Sequence, residues 1–205
     1  MTVPAFIIYI VIFLYGIVIG SFLNVCIYRI PKKESIVTVG SHCMKCGHQL
    51  KWYDLFPLFS FLFLRGKCRY CGTKLSAQYP IVEFSNGILY MILFAVNGIN
   101  VESVLYCFFV SALLVLSVID FRTMEIPVGI NAFILCVGVA HTIYDHENWI
   151  HYVIGFFTAS LFLLLCLFLT RGRGIGGGDI KLMAVAGLVL GWQNIALALV
   201  IGCVA

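Results

Sequence analysis

"WYDLFPLFSFLFLRGK", Trp52 to Lys67, is the stretch on which the fold turns. It is apolar enough to suggest a membrane span, and it separates two cysteine pairs, Cys43 with Cys46 and Cys68 with Cys71. A crossing here would leave the two pairs on opposite faces of a bilayer. The continuous apolar part, Leu55 to Leu64, contains Pro57 and falls well short of the about 20 residues a crossing helix needs. The stretch is therefore expected to lie along the membrane interface, with its aromatic rings at headgroup level.

The flanking cysteines give the second half of that argument. "CMKCGHQL", Cys43 to Leu50, and "CRYCGTKL", Cys68 to Leu75, are one octet used twice, C-x-x-C-G-x-x-L. Each brings two thiolates to a tight turn, with a glycine just after the second cysteine, as a zinc knuckle requires. Together they supply a closed site of four thiolates. Two disulfides are the alternative, but a basic loop on the cytosolic side is a reducing setting. Structural zinc on Cys43, Cys46, Cys68 and Cys71 is the expected cofactor, with His42 and His48 as bystanders. The other five cysteines, Cys26, Cys107, Cys136, Cys166 and Cys203, lie in apolar runs and behave as small hydrophobes.

Outward from this loop the chain is built for lipid. Of 205 residues, 62% are hydrophobic and 11% charged, with a mean hydropathy of +1.05, far from the composition of soluble domains. Apolar runs cover Pro4 to Tyr28, Tyr79 to Val96, Val101 to Ile119, Ile126 to Tyr144 and His151 to Thr170. A last run begins at Asp179, is interrupted by "GWQN" at Gly191 to Asn194, and resumes to the final residue, so the chain is expected to end within a helix. The first run lacks a basic n-region and a small-residue cleavage site and is taken as a retained helix. The expected fold is an all-α polytopic membrane protein of about six to seven helices with a small cytosolic zinc-knuckle loop. Its expected divisions are a first transmembrane helix (1–28), a four-cysteine zinc domain (29–78) and a multi-helix membrane core (79–205).

Lysines and arginines set the orientation. They cluster between Arg29 and Lys74, at Arg122, and around Arg171, Arg173 and Lys181; the loops Asn97 to Asn100 and Asp145 to Ile150 hold none. If the runs alternate, every basic residue falls on one side. That side is expected to be cytosolic, with the N-terminus outside.

This topology brings two acids to one depth. Asp120 in "VIDFRTMEIP" closes the third run and Asp179 in "GIGGGDIKLMA" opens the sixth, both on the cytosolic side. Asp179 could be only an N-cap, satisfying orphan N–H groups at the positive helix end. Asp120 has no such excuse, because a helix end favours Lys or Arg. Ionisable residues at membrane depth point to function, yet two unrelated interfacial acids would also fit. If the two work as a pair, the chemistry is that of aspartic proteases: the carboxylate activates water and the protonated partner polarises a peptide carbonyl. The helix ends assign the roles, since an anion is favoured at a helix start and disfavoured at its finish. Asp179 is then the base and Asp120 the acid. Glycines before Asp179 would let a peptide backbone approach without obstruction. A phosphate-binding loop is excluded, because no strand precedes the glycines and Lys181 is misplaced for one.

Taken together, these motifs resemble the type IV prepilin leader peptidases, bacterial membrane aspartyl proteases of the GxGD type. The matching stretches are "GSFLNVCIYRIP" (Gly20 to Pro31), the two CxxCG pairs, "PLFSFLFLRGKCRYC" (Pro57 to Cys71), "YPIVE" (Tyr79 to Glu83), "DFRTMEIP" (Asp120 to Pro127) and "GIGGGDIKL" (Gly174 to Leu182). The resemblance implies that Asp120 and Asp179 are the catalytic pair and that Gly176 and Gly178 are the glycines of the signature. It further implies removal of the basic leader of prepilin-like substrates at the cytosolic face of the bacterial cytoplasmic membrane. Methylation of the new N-terminus with S-adenosylmethionine is implied as well. Membrane lipid is the other expected partner; nucleic acid is not. No residues for methylation follow from the motifs, although Asn24 and Glu83 are polar groups to test, and Gly16 with Gly20 suggests helix packing. Two other functions compete with this one. A proton-coupled carrier would show repeated halves with acids near the midplane, and a non-enzymatic zinc-containing membrane adaptor leaves Asp120 without a purpose.

Overall fold

The computed structural model describes residues 5–170 and 176–204. Pro4, Arg171, Arg173 and the first two residues of Gly174 to Leu182 lie outside the described residues. The described chain is all-helical, with α1 Ala5–Arg29, α2 Phe59–Phe63, α3 Gln78–Asn97, α4 Val101–Thr123, α5 Val128–Tyr144, α6 Trp149–Leu169 and α7 Gly177–Val204. Five helices, α1, α3, α4, α6 and α7, are long and apolar enough to cross a membrane. Helix α5 is apolar but only 17 residues long. The protein is a multi-pass membrane protein whose exposed Phe, Leu, Ile and Val side chains face outward along these helices.

The stretch from Trp52 to Lys67 does not span. It makes one 3₁₀ turn, Trp52–Asp54, and the five-residue α2. Pro57 and the positive-φ turn at Leu58 (φ 58°, ψ −51°) stop any longer helix from forming.

Two boundaries differ from the hydropathy pattern. The helix α4 runs a turn past Ile119 to Thr123, so Asp120 stands inside its last turn rather than closing it. Hydropathy falls at Asp120 and Arg122, but backbone helicity persists until Met124 turns left-handed (φ 55°) and donates its N–H to the Asp120 carbonyl at 2.8 Å. Likewise α7 begins at Gly177, two residues before Asp179. Asp179 is thus in the first turn and is not the N-cap. The interruption at "GWQN" is real and sharp: Gly191 (φ 74°, ψ 169°) breaks α7 into two helical pieces.

The chain divides into two compact units, Met1–Ile119 and Asp120–Ala205. In the first, α1 lies directly on α3 through small residues. A Cβ at Gly16 would stand 2.7 Å from the Gly87 Cα, and one at Gly20 would stand 2.7 Å from the Glu83 Cα. This is the close approach that small residues four apart permit between membrane helices. A buried polar chain adds to it: Asn86 Nδ2 donates to the Gly16 carbonyl at 2.7 Å, and the Ser111 hydroxyl, 2.9 Å from the Tyr90 hydroxyl, donates to Asn86 Oδ1 at 3.0 Å. In the second unit α7 packs on α6 and α5. Gly155 and Gly187 meet backbone to backbone, and Leu188 fills the space over Gly138.

Candidate functional site

The two cysteine octets fold as matching knuckles. In the first, Cys43 N–H donates to His48 O and Gly47 N–H to Cys43 O; in the second, Cys68 N–H donates to Thr73 O and Gly72 N–H to Cys68 O, all at 2.8–2.9 Å. Gly47 and Gly72 share φ 69°, the left-handed value that makes glycine the natural residue after each second cysteine. The four Sγ atoms lie within 4.8 Å of one another, and Cys43 Sγ is 3.9 Å from Cys71 Sγ. A tetrahedral ion with Zn–S bonds of about 2.3 Å sets its sulfurs about 3.8 Å apart, so the cluster is compatible with structural zinc. All nine cysteines are free thiols. The backbone amides of Cys46 and Lys45 bring the Cys43 thiol down to about 6 and the Thr73 amide lowers Cys71, whereas Cys46, despite the His48 amide, is pushed up to about 11 by burial and by the neighbouring Cys43 and Cys71 thiols. Two of the four are thus readied as the thiolate that a metal takes. The histidines stand aside: His42 Nδ1 is 3.1 Å from the Gly40 carbonyl, and His48 stacks on Tyr70 at 3.6 Å.

Two charged residues that hydropathy counting treats only as loop charge hold this region in place. Asp54, with a side chain 3% exposed, accepts from Arg69 Nε at 2.7 Å, the Tyr70 hydroxyl at 3.1 Å and Lys51 N–H at 3.3 Å. Burial works against its charge, but the Arg69 guanidinium, then the Lys51 amide and the Tyr70 hydroxyl, keep its carboxyl below the ordinary range. Arg29, buried at the end of α1, donates to the carbonyls of Ser35, Val39 and Gly40. Its position in the last turn of an apolar run was the available signal, since a cation belongs at a helix C-terminus.

The first unit also carries a half-open cavity of about 670 Å³, bounded by α1, the start of α3 and the cysteine loop. Glu83 lines it, 6% exposed, and accepts Leu58 N–H at 2.7 Å through Oε2. Asn24 lines it too, but its amide is committed, donating to the Tyr79 carbonyl at 3.1 Å and accepting from Gln78 Nε2 at 3.4 Å.

The second unit holds both aspartates. Asp120 is half-buried in the last turn of α4 and Asp179 exposed in the first turn of α7. Asp179 Oδ2 accepts Gly176 N–H at 3.1 Å while its own N–H donates to Gly176 O at 3.1 Å. This is the third-residue half of a capping box. Gly178 makes the link between the two segments, because a Cβ there would lie 3.0 Å from Ile126 Cβ. Ile126, in the turn that follows Asp120, therefore seats the glycine that precedes Asp179. Hydropathy gave no sign of Ile126, an ordinary apolar residue beside a proline.

A helical membrane scaffold with a four-thiol knuckle in one unit and two helix-end aspartates in the other defines a class, that of polytopic membrane proteins with a four-cysteine loop. Two family models match it in sequence. Residues 14–97 match the bacterial peptidase A24 N-terminal domain and residues 107–205 the type IV leader peptidase family. The chain is 36% identical over 189 residues to a prepilin leader peptidase/N-methyltransferase of Bacillus subtilis, covering 92% of this chain and 76% of that protein. A protein of the same name from Vibrio cholerae is 34% identical over 201 residues, 90% of this chain and 78% of its own. For the one from Myxococcus xanthus the figures are 33% over 187 residues, 89% of this chain but 56% of the relative. No solved structure matches the chain. The chain belongs to the type IV leader peptidase family.

Proposed function

We infer that this chain is a membrane aspartyl endopeptidase that removes the basic leader of type IV prepilin-like proteins at the cytosolic membrane face and methylates the N-terminus it creates. The observation that carries the peptidase half is the seat of Gly178 on Ile126, which ties the start of α7 to the segment leaving Asp120. In the proposed reaction Asp179, at the positive end of α7, takes a proton from the attacking water. Asp120, at the negative end of α4, donates to the substrate carbonyl oxygen. Gly176 and Gly178 leave the peptide backbone room to approach. The peptidase chemistry lies in the membrane core, residues 79–205, and the four-cysteine domain, residues 29–78, faces the cytosol with the N-terminus outside.

Zinc on Cys43, Cys46, Cys68 and Cys71 would fold the loop and take no part in hydrolysis, because four protein ligands leave no open position. S-adenosylmethionine supplies an electrophilic methyl group when bound. Both aspartates fall within residues 107–205, the part matched by the leader peptidase model, which leaves residues 14–97 as the region for methyl transfer. The test is to incubate the purified full chain with a prepilin-like peptide and S-adenosylmethionine and weigh the products. Loss of the leader and gain of one methyl group on the mature fragment are expected. An intact peptide would overturn the proposal.

A further inference from the structure

Glu83 is a buried carboxylate without a cation. It is 6% exposed and takes neutral donors, the Leu58 amide and the Ser21 hydroxyl. Four basic residues share the cavity lining with Glu83. Among the described residues Arg69 pairs with Asp54, Arg29 is spent on three loop carbonyls, and neither Lys45 nor Lys74 forms an ion pair with Glu83. A carboxylate held out of water without a counter-charge is costly to ionise, and a cation brought beside it offsets that cost. Leu58, at φ 58° and ψ −51° a backbone rare for leucine, aims its N–H at Glu83. The carboxylate faces a cavity of about 670 Å³, in the size range of sites for molecules as large as a nucleoside derivative. Tyr28, Phe56, Phe61 and Tyr79 contribute aromatic walls. The same cavity distinguishes the two polar residues that the motifs suggest, since Asn24 is fully engaged in joining α1 to the start of α3 and Glu83 is not.

We propose that this cavity is the methyl-transfer chamber and that Glu83 is its counter-charge, drawing in the S-adenosylmethionine sulfonium and accepting the proton that the substrate's α-ammonium must shed. The freed amine nitrogen forms a bond to the methyl carbon as the carbon–sulfur bond breaks, its electron pair remaining on sulfur. The products are the methylated ammonium and S-adenosylhomocysteine, and the proton held by Glu83 passes to water. The inference rests on the proposed methylating activity, and adds the residue and the charge that perform it.

The experiment compares binding of S-adenosylmethionine and S-adenosylhomocysteine, one cationic at sulfur and one neutral, to the purified full chain by titration calorimetry. In Glu83→Gln the cationic donor should weaken by about thirtyfold, the penalty of removing one partner of a buried charge pair. The neutral product should be held almost as before, and methylation should be lost. Val25→Phe, which narrows the chamber without altering charge, should weaken both ligands alike. Zinc content and leader cleavage in each variant report an intact fold. A folded Glu83→Gln that binds and methylates like the parent overturns the role of Glu83, as does equal loss of both ligands. If Glu83→Gln does not fold, a Val25→Phe that methylates normally overturns the chamber. A parent chain that cleaves leader but binds neither ligand overturns both this inference and the methylating activity beneath it, while leaving the peptidase untouched.

Discussion

Asp179 does two things with one carboxylate. It closes the start of α7 by accepting Gly176 N–H, and it is proposed to take a proton from water. Asparagine separates these functions, because its amide oxygen still accepts the cap hydrogen bond but does not act as a base. Asp179→Asn should therefore insert and fold normally yet lose leader cleavage by at least about 100-fold, the lower range of a general acid–base contribution. Asp120→Asn should do the same. Single-turnover cleavage of a prepilin-like peptide measures both, and a loss of only a few fold in either would sink the two-aspartate mechanism. Gly178 offers a second test at this scale. Its added methyl would press 3.0 Å from Ile126 Cβ, so Gly178→Ala should slow cleavage, and Ile126→Ala in the same chain should restore part of the rate. Additive losses in the double variant would show that the two residues do not share a contact.

Helix against helix, the decisive contacts are made where side chains are absent. Gly155 and Gly187 bring the backbones of α6 and α7 together so closely that a Cβ on either would overlap the other's carbonyl oxygen. Lipid offers these helices no hydrophobic reason to associate, and packing has to supply it. Gly155→Ala or Gly187→Ala should destabilise the second unit by about 1–3 kcal/mol, as overpacking does, seen as a lower unfolding temperature in detergent. Gly129→Ala, where nothing lies within 4 Å of the new Cβ, is the control. The knuckles are the corresponding device outside the membrane. Elemental analysis should find one zinc per chain, and Cys43→Ser or Cys68→Ser should lose it and open residues 29–78 to proteolysis. Zinc-free protein with a protease-resistant loop would refute the metal's structural role.

At the level of the whole molecule the charge pattern makes a definite claim about sidedness. A reporter active only outside the cytosol should work when fused after Asn100 or after Glu147 and fail after Ser76 or Thr123. The reverse pattern would invert the orientation and remove both aspartates from the cytosolic face. The division at Ile119 and Asp120 also separates the two proposed activities, with the Glu83 cavity in one unit and the two aspartates in the other. Damage to one activity should then spare the other.

The apolar helices and their order could be read from the chain alone, because lipid admits only helices with long apolar runs. The cysteine knuckles were equally open, since two thiols and a glycine at fixed spacing suit one local turn. Asp120 and Asp179 stood out for a similar reason, being charges beside apolar runs. The extra turn of α4 beyond Ile119 was hidden, as hydropathy reports solvent preference and not backbone hydrogen bonding. Ile126 and Glu83 acquire their meaning only through partners distant in sequence: Gly178, and Leu58 with a half-open cavity. Local chemistry and periodicity are written into adjacent residues, whereas a seat or a buried unpaired charge exists only once tertiary packing has removed water around it.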